Sequence, residues 1–553
     1  MSKLLSQATF ALFVTLLSQN TLSSTAAVSM SEPQAAAVAK NVLMDGGNAI
    51  DAAIASAFVL AVTYPEAGNI GGGGFMLSYM NNEAAFLDFR ERAPSAAHRD
   101  MYLNENGNVI PNASLLGGQA SGVPGTVKGM LEAHKRYGTV PWEKLLQPAI
   151  GLAKHGFTVP AILAEYAQSK IKEVPEPYNF KKYFGHMRAG KLFTQPELAA
   201  TLELIAQDPD TFYTGLVATQ IASQMQKIGG LITRQDLADY KAIWRTPLQS
   251  QWRGYSVLTA PPPSSGGFAL IQLLAMRDYA KAHFQDIAHN APRYVHLLAE
   301  IEKRVFADRA VYLGDPDFVD IPMQQLLAPE YLAKRAAAIN PTAISPVAKV
   351  PAGLESTDTT HFSILDHQGN AVSLTYTLNW EFGSGVVVEG AGFILNNQMD
   401  DFSAKPGIKN KFGVVGNMRN AIAPGKRMLS SMTPTILLKE NKPALIIGTP
   451  GGSTIFTSVF QVILNLYDYE MPLQDAVDAT RFHHQLPDAF VLRHDQRPVA
   501  EQTTRELEKM GYTVEPNSWG DLGDIAAIAV QDNRVSAASD SRGRGISLVI
   551  PPQ

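Results

Sequence analysis

Side chains able to do oxygen or nitrogen chemistry cluster in the last third of the chain. Residues 341–358 form a linker-like stretch with three prolines and few large apolar residues, which ends at Asp358. The segment Thr359-Thr360-His361-Phe362-Ser363 then opens a predicted strand. The 553-residue chain contains no cysteine, which excludes disulfides, thiolate zinc sites, iron–sulfur clusters and a cysteine nucleophile. Any catalysis here must therefore use oxygen or nitrogen groups.

Further polar segments follow Thr359, and each has a simple structural explanation when taken alone. An arginine such as Arg90 usually forms a surface ion pair, and an aspartate such as Asp401 often caps a turn or helix. Two adjacent glycines can simply make a tight turn. The polar segments are Thr377-Leu378-Asn379, residues 396–402 (NNQMDDF), Ser430-Ser431-Met432-Thr433-Pro434 and residues 448–453 (GTPGGS). Their joint occurrence favours a functional site.

The elements that must position these residues form a mixed α/β pattern. Residues 34–63 predict helices broken at Asp45-Gly46-Gly47, and residues 68–90 predict a glycine-rich turn followed by a hairpin. Helical patterns dominate from about 125 to 340. Residues 360–366 and 371–377 alternate in polarity around a Gly/Asn turn and predict a second hairpin. Later patterns predict a helix at 455–468 and strands at 436–439, 444–448, 525–530 and 546–550. This order indicates a layered α/β sandwich.

Composition and motif tests exclude several classes of function. With 46 basic and 51 acidic residues, the formal charge of −5 argues against nucleic acid as the main partner. The segment GNIGGGGF (68–75) does not match the dinucleotide pattern and precedes a strand rather than a helix. The phosphate-binding loop and the serine nucleophile elbow are absent. The adjacent His483 and His484 lack zinc-site spacing, which favours a structural or surface role.

The N-terminus has the layout of a secretory signal peptide. Lys3 precedes an apolar run of about ten residues, and small residues follow up to Ala27. The run is too short to span a bilayer, which needs about 20 residues. The apolar stretch 49–62 is also short and predicts a buried helix. The sequence therefore predicts a signal peptide over 1–27 and a periplasmic or secreted protein without a membrane span.

Taken together, the motifs of this chain resemble those of the bacterial γ-glutamyltranspeptidases, which are N-terminal-nucleophile hydrolases. The resemblance runs from about Val28 to the C-terminus. It is carried by GGNAIDAA (46–53), GNIGGGGFM (68–76), LDFRERAP (87–94), PPPSSGG (261–267), YLGDPDF (312–318), TTHFS (359–363), NNQMDDFSAKPG (396–407), SSMTPT (430–435), PGGS (450–453), RFHHQ (481–485) and ASDSR (538–542). It implies a four-layer αββα sandwich built from both products of a self-cleavage.

The resemblance implies that the precursor cuts itself between Asp358 and Thr359. Thr359 would become the nucleophile, because a free α-amino group with a pKa of about 7.7–8.0 can act as the base for its own hydroxyl. Thr377 would orient Thr359. Gly451 and Gly452 would supply oxyanion-hole N–H groups, since glycine lets the acyl oxygen approach closely. The products would be a large subunit, 28–358, and a small subunit, 359–553, which form one intertwined domain.

The same resemblance implies how the γ-glutamyl group is recognised. Arg90 would pair with the α-carboxylate, because a guanidinium can bond both of its oxygens. Ser430 and Ser431 would also bind that carboxylate. Asn379, Gln398 and Asp401 would hold the α-ammonium group. Residues 406–417 match a lid loop, whose aromatic residue is Phe412 here where related enzymes often have tyrosine.

The implied activity is γ-glutamyl transfer and hydrolysis without a metal or organic cofactor. Glutathione or a related donor would acylate Thr359, and water, an amino acid or a dipeptide would accept the acyl group. Alternatives are a β-lactam side-chain acylase of the same family, against which Asp401 argues, and a hydrolase that barely transfers. An uncleaved binding protein on the same fold and a dinucleotide-binding oxidoreductase are the alternatives from other classes.

Overall fold

The computed structural model describes residues 24–346, 358–405, 417–497, 499–518 and 520–552, with the side chains of Asp358 and Thr359 outside this description. Phe412 and most of the predicted signal peptide also lie outside it. The described strands are β1 (Ala26–Met30), β2 (Gly73–Met80), β3 (Glu83–Asp88), β4 (Phe157–Thr158), β5 (Leu192–Phe193), β6 (Ile243–Arg245), β7 (Leu248–Trp252), β8 (Tyr255–Thr259), β9 (Asp358–Leu365), β10 (Ala371–Asn379), β11 (Thr435–Lys439), β12 (Lys442–Gly448), β13 (Phe482–His483), β14 (Val491–His494), β15 (Thr513–Pro516), β16 (Ala526–Gln531), β17 (Arg534–Ser539) and β18 (Ile546–Ile550).

Most of the described helices come before β9 in the sequence, and the last three come after β12. They are α1 (Pro33–Met44), α2 (Ala49–Thr63), α3 (Thr126–Tyr137), α4 (Trp142–His155), α5 (Ala161–Glu173), α6 (Phe180–Phe184), α7 (Pro196–Gln207), α8 (Leu216–Ile228), α9 (Arg234–Ala238), α10 (Gly266–Tyr279), α11 (Pro292–Tyr312), α12 (Met323–Leu326), α13 (Pro329–Ala337), α14 (Ile455–Tyr467), α15 (Leu473–Asp478) and α16 (Glu501–Lys509). The predicted buried helix is α2, whose residues are all buried. Asn48 begins it with a side-chain cap, and Asp51 bonds back to the Asn48 N–H.

Two antiparallel sheets form the centre of the molecule. The first has seven strands in the order β18-β1-β9-β10-β2-β3-β6, and the second has six in the order β17-β16-β12-β11-β8-β7. Strands from before and after residue 358 occur in both sheets. In the first sheet β1, which comes from the N-terminal part, lies between β18 and β9, which come from the C-terminal part.

Three apolar clusters show that the sheets and helices form four layers. Helices α1 and α2 pack on one face of the first sheet, against side chains such as Ile364 and Leu374. Helices α10, α11 and α14 pack on the second sheet, against Leu437 and Leu445. A third cluster, which includes Phe75 and Ile446, fills the space between the two sheets. The predicted αββα sandwich is therefore confirmed, and both sheets are buried on both faces.

The predicted second hairpin is β9–β10, and its alternation is as expected. Val372 and Leu374 belong to the apolar cluster under the helices. On the opposite face, the Ser373 hydroxyl donates to the Ile447 carbonyl of the second sheet. The polar face of β10 thus lies against the other sheet, which allows a hydroxyl-rich strand to be buried without losing its hydrogen bonds.

The sequence patterns missed several strands. Strands β6, β7 and β8 interrupt the region predicted as helical. Strand β1 includes Ala26 and Ala27, which the predicted signal peptide would remove. Both alanines are fully buried and pair with β18 and β9. The predicted hairpin at 68–90 is confirmed as β2–β3, and the predicted helix at 455–468 is α14.

Candidate active site

The end of the β9–β10 hairpin places Thr359 opposite Thr377. Tyr376 pairs with Thr360, but the next registered pair is Asn379 with Asp358. The backbone of Thr359 is therefore opposed by two residues, Thr377 and Leu378, as in a β-bulge. Such bulges re-aim side chains beside active sites. The Thr377 hydroxyl accepts the Asn379 N–H at 2.8 Å, which fixes the Thr377 rotamer at this bulge.

A glycine turn follows β12 in the second sheet and leads into α14. Gly451 has φ 129° and Gly452 has φ 55°, which both favour glycine. A side chain at Gly451 would also lie 2.6 Å from the Thr454 hydroxyl. The Gly451 carbonyl accepts hydrogen bonds from the Thr454 N–H and hydroxyl, so its orientation is fixed. The turn is thus rigid before any ligand binds.

Arg90 and Asp401 form a buried ion pair although they are 311 residues apart in sequence. Arg90 follows β3, and its Nη2 donates to the Asp401 carboxylate at 2.5 Å. The Gln398 amide donates to the same carboxylate oxygen at 2.7 Å. Burial raises the pKa of Asp401, and the Arg90 guanidinium opposes that shift. The three predicted residues therefore form one cluster.

Ser430 and Ser431 lie on an extended segment that is held in place by the PPPSSGG motif. The Ser265 N–H and hydroxyl both donate to the Ser430 carbonyl, at 2.6 and 2.7 Å. The Ser264 hydroxyl donates to the Met432 carbonyl at 2.6 Å. The Arg309 Nε of α11 donates to the Ser265 hydroxyl at 2.8 Å. Hydrogen bonds from Ser264 and Ser265 therefore fix the backbone carbonyls on both sides of Ser431.

Four buried polar atoms on the family-matched residues of this cluster have no hydrogen-bond partner among the described residues. Two are donors, the Arg90 Nη1 and the Ser431 hydroxyl, and two are acceptors, the Asp401 Oδ1 and the Gln398 Oε1. Buried polar groups are normally paired, so a group of unpaired ones needs an explanation. Donors beside acceptors match the carboxylate and ammonium groups of an α-amino acid.

Glu91 is a charged residue of this cluster that sequence reasoning missed. Its side chain is fully buried, and Oε2 lies 3.9 Å from Nη1 of Arg90. Burial raises the pKa of Glu91 to about 7, although the Arg90 guanidinium opposes the shift. The Tyr240 hydroxyl donates to the Arg90 carbonyl at 2.9 Å and fixes the backbone next to Glu91. The sequence signal was present in the RERAP segment, but nothing in it showed that Glu91 is buried.

His361 connects β9 to the neighbouring strand β10 and contacts β12 of the second sheet. Its Nδ1 lies 2.8 Å from the Thr375 hydroxyl, and its Nε2 lies 3.2 Å from the Ser363 hydroxyl. Gly448 packs against the ring so closely that a side chain there would lie 2.3 Å from it. Burial lowers the pKa of His361 to about 3, so the ring is neutral. His361 thus fixes the strand two residues after Thr359.

Comparison with known proteins agrees with this geometry. The sequence model of the γ-glutamyltranspeptidase family matches residues 35–550. The chain belongs to the γ-glutamyltranspeptidase family. A relative from Pseudomonas aeruginosa, named glutathione hydrolase proenzyme, is 57% identical over 528 residues, which cover 95% of each chain. The resemblance inferred from the motifs is therefore confirmed.

Solved structures of the family and its relatives share the fold. A cephalosporin acylase from Bacillus halodurans aligns with a TM-score of 0.83 at 27% identity and covers 95% of this chain and 96% of its own. A γ-glutamyltranspeptidase chain from Pseudomonas nitroreducens, complexed with L-DON, aligns with a TM-score of 0.57 at 54% identity. It covers 58% of this chain and 96% of its own.

The structure brings most of the family-matched residues to the facing ends of the two sheets. Asn379, in the left-handed region with φ 85°, donates from its side chain to the Asn397 carbonyl. His483 and His484 are fully buried and lie away from this cluster, and burial lowers the pKa of each. Among the described residues, no group of three or more His, Asp or Glu side chains could hold a metal ion. Ser265 and Arg309 are further members that the sequence did not single out.

Proposed function

We propose that this protein is a γ-glutamyltransferase and glutathione hydrolase that works through an ester on Thr359. The donor is glutathione or a related γ-glutamyl amide. The acyl group passes to water, or to the amine of an amino acid or dipeptide. The observation that carries the proposal is the set of unpaired buried atoms on Arg90, Ser431, Asp401 and Gln398. Family membership and the glutathione hydrolase proenzyme from Pseudomonas aeruginosa support it.

The glutamyl head group is recognised by opposite charges placed side by side. Arg90 and the hydroxyls of Ser430 and Ser431 bind the α-carboxylate. Asp401, Gln398 and Asn379 bind the α-ammonium group. A charge-assisted hydrogen bond contributes about 1.5–3 kcal/mol when its partner is buried, so this arrangement selects α-amino acids strongly.

The acyl transfer itself takes place at Thr359. The Thr359 α-amino group takes the hydroxyl proton while the oxygen attacks the γ-carbonyl carbon. The N–H groups of Gly451 and Gly452 stabilise the oxyanion, and Thr377 orients the nucleophile. The proton passes to the leaving amine as the amide bond breaks. Water or a second amine then attacks the ester, and the Thr359 hydroxyl is regenerated.

Maturation by self-cleavage between Asp358 and Thr359 creates the catalytic amine. The word proenzyme in the name of the 57% identical relative supports this step. The matched Pseudomonas nitroreducens chain supports it too. Nearly all of that chain aligns with 58% of this one, and the proposed large subunit, residues 28–358, makes up a similar fraction of the sequence. The products associate as a heterodimer in which both contribute strands to both sheets.

We place the mature protein in the periplasm or outside the cell, on the basis of the signal-peptide pattern. No helix within the described ranges is long and apolar enough to cross a membrane. Cleavage after Ala27 would remove Ala26 and Ala27 from strand β1. Because the Ser24 hydroxyl also donates to the His367 carbonyl, we expect signal cleavage before Ser24, which keeps this residue in the mature chain.

The test is the intact mass and N-terminal sequence of the purified protein, together with release of glutamate from γ-glutamyl-p-nitroanilide. We expect two chains, the smaller beginning Thr-Thr-His-Phe-Ser, and the Thr359→Ala variant to be uncut and inactive. The Thr359→Ser variant, which keeps a hydroxyl, is the matched control and should retain some cleavage. A single uncut wild-type chain, or full activity in Thr359→Ala, would refute the proposal.

A β-lactam side-chain acylase is the second candidate, favoured by the structural similarity to the cephalosporin acylase. A glutaryl side chain has a carboxylate but no ammonium group. The buried Asp401 carboxylate would then lack a cationic ligand atom. The same assay with glutaryl-p-nitroanilide separates the two candidates, and we expect the γ-glutamyl donor to be preferred.

A further inference from the structure

A cavity opens beside the glycine turn that follows β12. Its volume is about 260 Å³, and Gly451 forms part of its wall. None of Arg90, Gln398, Asp401, Ser430 or Ser431 lines it. It therefore shares Gly451 with the reaction centre without being part of the glutamyl site. We call it the amine-side cavity.

The other wall of the amine-side cavity continues from the end of β10. Glu381, which lines the cavity, follows two residues after Asn379, whose backbone pairs with that of Asp358. The Phe382 N–H donates to the carbonyl of Glu66, a second lining residue. The cavity is thus bounded by both elements that flank Thr359. A group bonded to the γ-carbonyl of the donor, opposite the glutamyl head, would enter it.

Carboxyl groups dominate the lining of the amine-side cavity. Among the described residues that line it, Glu66, Glu381, Asp521 and Asp524 are acidic and Arg542 is basic. Carboxylates that are not part of the lining already neutralise Arg542, because it bonds to Asp495 and Asp540.

The four acidic side chains do not contribute equally. Glu66 forms an ion pair with Arg544 at 2.6 Å. Burial, followed by the neighbouring Asp540 carboxylate, raises the pKa of Asp524, which reduces its charge. Glu381 and Asp521 are half-buried members of the lining, and one Asp521 oxygen accepts the Gln496 N–H at 2.9 Å.

An unpaired amide oxygen independently indicates a ligand with N–H groups. Asn517 is 3% exposed and lines the amine-side cavity. Its Nδ2 donates to the Gly520 carbonyl at 3.1 Å, while its Oδ1 has no hydrogen-bond partner within the described part of the chain. A buried acceptor without a partner is costly unless a donor from a ligand completes it.

We infer that the amine-side cavity binds the accepting amine and selects acceptors that carry a second positive charge, such as lysine or a diamine, over acceptors with an additional carboxylate. The inference rests on the proposed γ-glutamyl transfer. In that step a neutral amine nitrogen attacks the ester carbonyl, an amide bond forms and the bond to the Thr359 oxygen breaks. One amine proton passes through the Thr359 α-amino group to the released hydroxyl. The second ammonium group stays charged beside the carboxylates.

The experiment compares three acceptors of similar length at one concentration, with γ-glutamyl-p-nitroanilide as the donor. L-lysine carries an additional positive charge, L-norleucine carries none, and L-2-aminoadipate carries an additional negative charge. Free glutamate reports hydrolysis, and the γ-glutamyl product reports transfer. We expect the ratio of transfer to hydrolysis to fall in the order lysine, norleucine, aminoadipate, with about three- to tenfold between neighbours, since half-buried charges interact moderately.

Variants then assign the selectivity to the cavity. Glu381→Gln and Asp521→Asn should each reduce the preference for lysine over aminoadipate by about threefold, and together by more. Glu389→Gln is the matched control, because it removes the same charge at an exposed pair with Lys182 and Lys227. Glu389→Gln should keep the wild-type order of acceptors.

The outcomes separate the inference from the proposed function. If glutamate is released but aminoadipate accepts as well as lysine, the inference is wrong and the proposed function stands. The same holds if the lysine preference is unchanged in the double variant, or falls equally in Glu389→Gln. If no glutamate is released even without an acceptor, the proposed function is wrong and the inference falls with it.

Discussion

Replacing Asp401 by asparagine should remove the preference of the enzyme for donors that carry an α-ammonium group. Asp401→Asn keeps the shape of the side chain and removes its charge. Asp401 is buried, and its Oδ1 has no partner among the described residues. The lost ammonium contact is a charge-assisted hydrogen bond of about 2–3 kcal/mol. At 1.4 kcal/mol per factor of ten, kcat/KM for γ-glutamyl-p-nitroanilide should fall about 30- to 150-fold.

The matched donor is glutaryl-p-nitroanilide, which lacks only the ammonium group. Its kcat/KM should fall less than threefold or rise in Asp401→Asn, because it never used the charge. Removing one partner of a buried ion pair costs up to about 3–5 kcal/mol of stability, since Arg90 stays buried and charged. The denaturant midpoint and the fraction of cleaved chain must therefore be measured for each preparation.

Asp400→Asn is the control variant for this experiment. Asp400 is the adjacent buried carboxylate, and it accepts a hydrogen bond from the Ser114 hydroxyl at 2.5 Å. It should change stability without changing the ratio of the two donors. Equal losses on both donors in Asp401→Asn would show a merely structural role. An unchanged γ-glutamyl kcat/KM would show that Asp401 does not bind the ammonium group.

Three further predictions follow from the same geometry. Gly451→Ala should lower kcat about 10²- to 10³-fold with little change in KM, while Gly369→Ala, also at positive φ but with open space around it, should cost only stability; equal activity of both would contradict the oxyanion role. Arg309→Gln should raise the donor KM about tenfold with a smaller change in kcat, Arg309→Lys should restore part of it, and an unchanged KM would remove Arg309 from a positioning role. Below about pH 6.5, each of the buried His361, His483 and His484 should lower the free energy of unfolding by up to about 1.4 kcal/mol per pH unit, because each binds a proton only in the unfolded chain. Buried carboxyls with raised pKa values, such as Glu91 and Asp524, act in the opposite direction, so the test compares the pH slope of the wild type with that of His483→Gln; equal slopes from pH 6.5 to 4.5 would refute the contribution of His483.

Local patterns in the sequence were enough to predict the elements that carry most of the site. The hairpin β9–β10 follows from alternation around a Gly/Asn turn, and α2 follows from a continuous apolar run too short to span a membrane. The four-layer arrangement came from family resemblance, since alternation alone indicates only that sheets and helices are layered.

What the sequence could not predict depends on contacts between distant parts of the chain. Strand β1 looks like the end of a signal peptide, because its partners β9 and β18 lie more than 300 residues away. Likewise, nothing near Arg309 in the sequence indicates that its side chain reaches Ser265 and fixes the segment carrying Ser430. Burial explains the missed role of Glu91, since a carboxylate in a charged segment is usually exposed.

In the first sheet, strands from before and after the cleavage point alternate, and this determines the order of folding and cleavage. Before the cut, the sheet order β18-β1-β9-β10-β2 is reached by a single chain, and folding is a first-order process. After the cut, the same order would require two polypeptides to meet and interleave, which makes reassembly second-order and dependent on concentration. Folding must therefore precede cleavage. After cleavage, the unfolded protein consists of two polypeptides and cannot refold in a unimolecular step. Dilute refolding should recover the Thr359→Ala precursor but not the mature enzyme.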